Sequence, residues 1–250
     1  DVCSSDLTTA GYLPLKDYIP DTDAVAVGLL KQAGAIVIGR TNTTTLAMDM
    51  QTDNPIFGKT HNPWDVSRTP AGSSGGCAAA LAAGMTPLSL GSDLAGSVRL
   101  PASFCGVYGL KPTHGVVSFE GHIPPLPGQT NGYRTLAVAG PLARSVDDLA
   151  LALDVLTQAT PLDRNVTPLP GDASGSIDIA RLKIAWTDNF GGVPVSAEIK
   201  DQMHAFVNRL ARAGAARPPG RTDLEHHLYR VGQRLVGQQQ RRCAGCRSLG

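Results

Sequence analysis

The residues best suited to chemistry lie in two glycine-framed serine clusters, Gly72-Ser73-Ser74-Gly75-Gly76 and Gly91-Ser92-Asp93-Leu94-Ala95-Gly96-Ser97-Val98-Arg99, with Ser73 and Ser97 24 residues apart. A serine hydroxyl is a weak nucleophile and needs a base within hydrogen-bond reach. The turn Leu94-Ala95-Gly96, just ahead of Ser97, can aim several backbone N–H groups at one point, as an oxyanion requires. Ser97 is therefore the candidate nucleophile, Leu94, Ala95 and Gly96 are the candidate oxyanion donors, and Asp93 is placed to hold the loop by bonding backbone amides. Ala95 fits that role provided its φ is not positive. Taken singly, each cluster also reads as ordinary turn chemistry, with Ser73-Ser74 capping a helix that starts at Gly75.

The elements that must position these loops alternate between strand and helix. Asp23 is expected to cap a helix over residues 24–33 that Gly34 stops, followed by a buried strand over 35–39. A small-residue helix is expected from Gly75 to Ala83, ended by Gly84, then a strand over 86–90 leading into the second cluster. Further strands are expected at 107–110, 115–119 and 182–186, with a Pro/Gly-rich loop over 120–135 and a linker over 161–176. Ser145 caps one helix, and Ser196 starts another whose apolar face is Ile199, Met203, Phe206, Val207 and Leu210, with Gly214 as its stop. The alternation predicts an α/β fold.

Composition narrows the function classes. With 250 residues, 42% apolar and 17% charged, the chain is globular, and a net charge of +1 gives no reason to expect a nucleic-acid or charged membrane partner. No apolar run approaches the roughly 20 residues of a membrane helix. Five scattered cysteines argue for a reducing compartment: Cys77 and Cys105 read as small buried hydrophobes, and Cys243/Cys246 lack the second pair that a zinc site needs. Neither a G-x-x-x-x-G-K-[ST] phosphate loop nor a G-x-G-x-x-G after a strand is present.

The two clusters, with Leu100-Pro101-Ala102 after the second, resemble the amidase signature family of serine hydrolases. The resemblance extends over Gly39–Asn42, Asp53–Gly58, Thr60–Asp65, Pro101–Thr113 and Gly140–Ser145, and runs from about Thr8 to about Gly214. It implies a mixed β-sheet covered by helices on both sides, no cofactor or metal, a small-molecule amide substrate and a cytoplasmic enzyme that can form a homodimer. Ser97 matches the family nucleophile, Ser73 matches the serine that sits on a cis peptide and relays the proton, and Ser74 supports that geometry. The third member of the family triad is a lysine on the N-terminal side of the first cluster.

That lysine has no counterpart here. Thr8-Thr9-Ala10-Gly11 resembles the end of the stretch that follows it, so it is expected before Thr8. Residues 1–7 read instead as a non-native leader, residues 8–216 as a partial amidase signature domain, and residues 217–250 as a tail of doubtful homology, consistent with a frame error. Lys16 reads as a surface residue, and Lys111 belongs to a different motif. The chain as written is expected to be nearly inactive. A family branch that feeds ammonia to a partner for tRNA-linked transamidation usually has Gln before the Pro-Ala pair; Leu100 stands there, favouring a free-standing amidase. The alternatives are a catalytically dead fragment, a glutamine amidase of that branch, or an α/β-hydrolase with Ser74 in a G-x-S-x-G elbow and His114 or His122 as base.

Overall fold

The computed structural model describes residues 6–123, 136–163, 166–167, 178–188 and 192–216. The chain divides into two compact units, Asp1–Gly171 and Asp172–Gly250. Among the described residues the first unit contains helices α1 (Val25–Gln32), α2 (Gly75–Ala82), α3 (Arg99–Cys105) and α4 (Val146–Leu156). Its strands are β1 (Asp53–Asn54), β2 (Gly58–Lys59), β3 (Leu88–Asp93), β4 (Tyr108–Gly109) and β5 (Val138–Ala143). The fold is α/β, as the alternation predicts.

The sheet that carries the site has the order β3-β5-β4, with antiparallel pairing throughout. All six residues of β5 are buried. Successive strand residues point to opposite faces, and β5 shows both. Leu142 packs with Cys77, Ala78 and Leu81 of α2 and with Val98, Ala102 and Cys105. Ala139 packs with Ala26 of α1, Ala152 and Leu156 of α4, Val116 and Val117. Helices thus cover both faces of the sheet at its middle strand. Burial pushes the Cys105 thiol up to about 11, so it behaves as a small inert hydrophobe.

Ends of helices follow sequence chemistry closely in some places. Ser145 accepts from the Asp148 amide at 3.1 Å, and Gly34 and Gly84 close their helices at φ +93° and +73°. Elsewhere tertiary context overrides. Asp23 does not cap α1; Ala24 holds the cap position, and the Asp23 carboxylate meets Lys31 Nζ at 2.8 Å. Residues 35–39 form no strand, because no described strand lies beside them, and Ile36 and Ile38 are 86% and 72% exposed. Residues 115–119 form no strand: Gly115 is left-handed, the adjacent Val116 and Val117 are both buried, and Ser118 Oγ donates to Asp163 at 2.6 Å. Helix α3, with Pro101 inside it, goes beyond the elements expected from the sequence; it ends on left-handed Gly106.

In the second unit, α5 (Ala197–Arg212) is capped by Ser196 and followed by Gly214 at φ +99°. Of the expected apolar face only Val207 is buried, while Ile199 and Phe206 are half exposed, since no described element covers them. The expected strand at 182–186 is reduced to one parallel bridge, Lys183 to Ala216. The 120–135 loop, the 161–176 linker, Cys3, Cys243 and Cys246 fall wholly or largely outside the described residues.

Candidate active site

The first serine cluster forms where an irregular segment turns into α2. Its helix is built almost wholly of Gly and Ala, which lets the backbone approach its neighbours closely. A methyl group on Gly75 would overlap Thr52 Oγ1, and one on Gly76 would overlap the backbone of Asn42. Ser74 occupies the helix cap position, yet its hydroxyl makes no capping bond. It donates to the Ser92 carbonyl at 3.4 Å and accepts from the Ser92 amide at 3.3 Å, tying α2 to β3. The Ser74 amide donates to the Ser97 carbonyl at 3.2 Å, which joins the two clusters directly.

The peptide bond between Gly72 and Ser73 is cis. A layer of hydroxyl and amide side chains surrounds it. Thr52 Oγ1 donates to the Ala71 carbonyl at 2.7 Å and accepts from the Gly75 amide at 3.1 Å, bridging the two flanks of the bend. Thr43 Oγ1 donates to the Ser73 carbonyl at 3.0 Å. Asn54 Nδ2 donates to Asn42 Oδ1 at 2.6 Å and to the Thr43 carbonyl at 2.8 Å, fixing the threonine run from behind. Sequence reasoning assigned these residues no role. Their signal was the density of Thr and Asn in 41–45 and 52–54, residue types that satisfy backbone groups outside regular structure.

Asp93, at the end of β3 and with no exposed surface, organises the second cluster. Oδ1 accepts from the Gly96 amide at 2.8 Å, and Oδ2 accepts from the Val98 and Arg99 amides at 3.2 and 3.3 Å. The Arg99 guanidinium adds two bonds, Nε to Oδ2 at 3.0 Å and Nη2 to Oδ1 at 2.9 Å. Burial alone would raise the Asp93 pKa, but Arg99 and the three amides outweigh it and hold the carboxyl below its usual range. The expected loop-holding role of Asp93 is therefore what its contacts describe. The Gly96 N–H is committed to that carboxylate, which corrects its assignment as an oxyanion donor. The amides of Leu94, Ala95 and Ser97 make no bond among the described residues. Ala95 is not in the left-handed region, so its amide keeps an ordinary orientation.

Ser73 and Ser97 are 2% and 6% exposed and line one cleft together with Leu46, Ala47, Ser92, Leu94, Phe119, His122, Ile123 and Ala137. The cleft encloses ≈ 310 Å³ of empty space, part of it open to solvent. Leu46 and Ala47, consecutive residues at φ +52° and +57°, form one wall. None of the chain's six lysines lines the cleft. Lys16 is a surface residue, 3.8 Å from Asp17, and Lys111 Nζ donates to the Pro112 carbonyl. The elbow reading with Ser74 as nucleophile fails on two counts: its hydroxyl is bonded to β3, and residues 66–71 ahead of it are loop, not strand. Among the described residues no group of His, Cys, Asp and Glu is arranged to hold a metal ion.

Several solved structures superpose on most of this chain. A 6-aminohexanoate cyclic dimer hydrolase superposes with TM-score 0.76 at 33% identity, covering 88% of this chain and 46% of its own. A fatty acid amide hydrolase gives TM-score 0.77 at 30% identity, covering 88% and 39%. The chain belongs to the amidase family, whose model matches residues 5–232 and so continues past Gly214. The glutamyl-tRNA(Gln) amidotransferase A-subunit of Solidesulfovibrio magneticus is 38% identical over 237 residues, covering 92% of this chain and 46% of that relative. The chain thus spans about half the length of the curated relatives it matches. No helix among the described residues is long and apolar enough to cross a membrane.

Proposed function

We propose that the chain carries the nucleophile and proton relay of a cytoplasmic amidase acting on small carboxamides. Ser97 Oγ attacks the carbonyl carbon, Ser73 Oγ passes the proton toward a base, and the amides of Leu94, Ala95 and Ser97 receive the oxyanion. Collapse expels ammonia or an amine with the relayed proton and leaves an acyl ester on Ser97, which water hydrolyses to the carboxylate. The observation that carries this reading is the buried Ser73 lining one cleft with Ser97, the two loops being joined by the bond from the neighbouring Ser74 amide to the Ser97 carbonyl.

The base is assigned to a lysine encoded ahead of Thr8, because no lysine of this chain lines the cleft. The coding DNA upstream of Thr8 tests this: an in-frame lysine codon shortly before it supports the triad, and its absence points to a dead homologue. The product of that longer reading frame should hydrolyse an aryl amide, and Ser97→Ala should reduce the rate by at least about 10³-fold. The 250-residue chain alone should release aniline at background rate. Turnover by this chain that Ser97→Ala abolishes would overturn the lysine assignment.

A second reading is favoured by the amidotransferase A-subunit relatives: glutamine as substrate, with ammonia passed to a partner. Leu100, packed over Gly96 where that branch usually has Gln, weighs against it. Glutaminase activity exceeding aryl amidase activity in the longer protein would reverse the order of the two readings.

A further inference from the structure

One side chain lining the same cleft as the serine loops is not used by the hydrolytic mechanism. His122 lies against Phe119 with ring centroids 4.1 Å apart and planes 18° from parallel, and both rings line the cleft beside Ser73, Ser97 and Leu94. Its Nδ1 is sealed from solvent and has no hydrogen-bond partner among the described residues. Buried ring nitrogens are ordinarily satisfied, so an unsatisfied one at a ligand cleft calls for a partner that arrives with the ligand. The other lining residues Leu46, Ala47, Leu94, Phe119, Ile123 and Ala137 are apolar, which leaves this imidazole as the polar side chain of the cleft besides its serines. A half-turn about Cβ–Cγ exchanges Nδ1 and Cδ2 while keeping the ring stacked, so Nδ1 has a second position that retains the Phe119 contact.

We infer that His122 is a specificity-determining residue whose imidazole hydrogen-bonds a polar group next to the scissile carbonyl, selecting short carboxamides that carry a hydroxyl or amide near that carbonyl over plain alkyl amides. The inference rests on the amidase reading of the same cleft. Burial holds the ring neutral, with its pKa down at about 3, so it presents one donor and one acceptor and does not act as a general base at neutral pH. A neutral, stacked ring with an unsatisfied nitrogen suits recognition rather than proton transfer.

The experiment uses the Ser97→Ala form of the 250-residue chain, which cannot be acylated, and two isosteric probes: lactamide and isobutyramide, which differ only by hydroxyl against methyl. Binding is followed by NMR through the backbone amides of residues 96 and 97 in that variant and through the His122 ring nitrogens. Lactamide should bind about tenfold more tightly, a difference one satisfied hydrogen bond can supply, and should move the His122 nitrogen signals. His122→Phe keeps the aromatic stack and should bring the ratio to about one; His122→Asn should restore part of it. A preference that persists in His122→Phe, or equal binding of both probes by the chain with His122 intact, overturns the inference and leaves the amidase reading standing. Failure of both amides to perturb residues 96 and 97 overturns the inference and the amidase reading together.

Discussion

The serine loops of the first unit and the helical segment of the second show opposite solutions to packing. Around Ser73 and Ser97 the backbone is so close that Gly75, Gly76 and Gly91 have no room for a methyl group. In the second unit Gly192 has open space around it, and α5 buries only Val207 while Ile199 and Phe206 face outward. The contrast shows where precision resides. Close approach, buried hydroxyls and a saturated carboxylate fix two small side chains, whereas α5 depends mainly on its own helical bonds and caps.

The contrast can be broken most severely at Gly76. An added methyl meets Asn42 backbone that cannot swing aside, so Gly76→Ala should cost at least about 3 kcal/mol, read as a lowered denaturant midpoint. Asp93→Ala comes next. It strands three loop amides and should cost about 2–3 kcal/mol while leaving Ser97 poorly placed. Thermal melts on both, alongside Phe206→Ser with an expected change within about 0.5 kcal/mol, test whether the two regions differ as described.

The next test concerns acid. Unfolded His122 binds a proton below its usual 6.5, whereas the folded ring stays neutral to about 3 because burial disfavours its charge. The unfolded state therefore holds more protons in that window, and stability falls by about 1.4 kcal/mol for each pH unit from 6.5 toward 3. Asp93 acts in the same direction at the lower end, its depressed carboxyl losing its contribution as pH drops through its folded value. Urea titrations at pH 7, 5.5 and 4.5 should show this slope, and His122→Phe should flatten it. A small effect is favourable: Gly28 lies inside α1 with open space and no positive φ, so Gly28→Ala should add about 0.5–1 kcal/mol.

How much of this was legible in the sequence depended on whether the signal was local. Serine caps at Ser145 and Ser196 and glycine stops at Gly34, Gly84 and Gly214 act within one turn of helix, and each holds in the structure. The two serine loops, singled out by residue type and spacing, come together at one cleft in the structure. The strand expected at 35–39 does not form, since an apolar run becomes a strand only beside another. Asp23 is a good cap by type, but Lys31 eight residues on takes its carboxylate. Asp93 was expected to bond backbone amides of its loop, but residue types do not say which ones, and the structure shows that it claims the Gly96 amide. Helix α3 hid behind Pro101, which sits in its first turn, where a missing N–H costs little.

The Asp93 clamp divides its loop into anchored and unanchored parts. Residues 96, 98 and 99 are held by one carboxylate, while Leu94 and Ala95 stand exposed between the anchors with unbonded amides. Side chains at those two positions can be exchanged without shifting the residues that frame Ser97. A library randomised at Leu94 and Ala95 alone would remodel the rim of the cleft while leaving the anchored part of the loop in place.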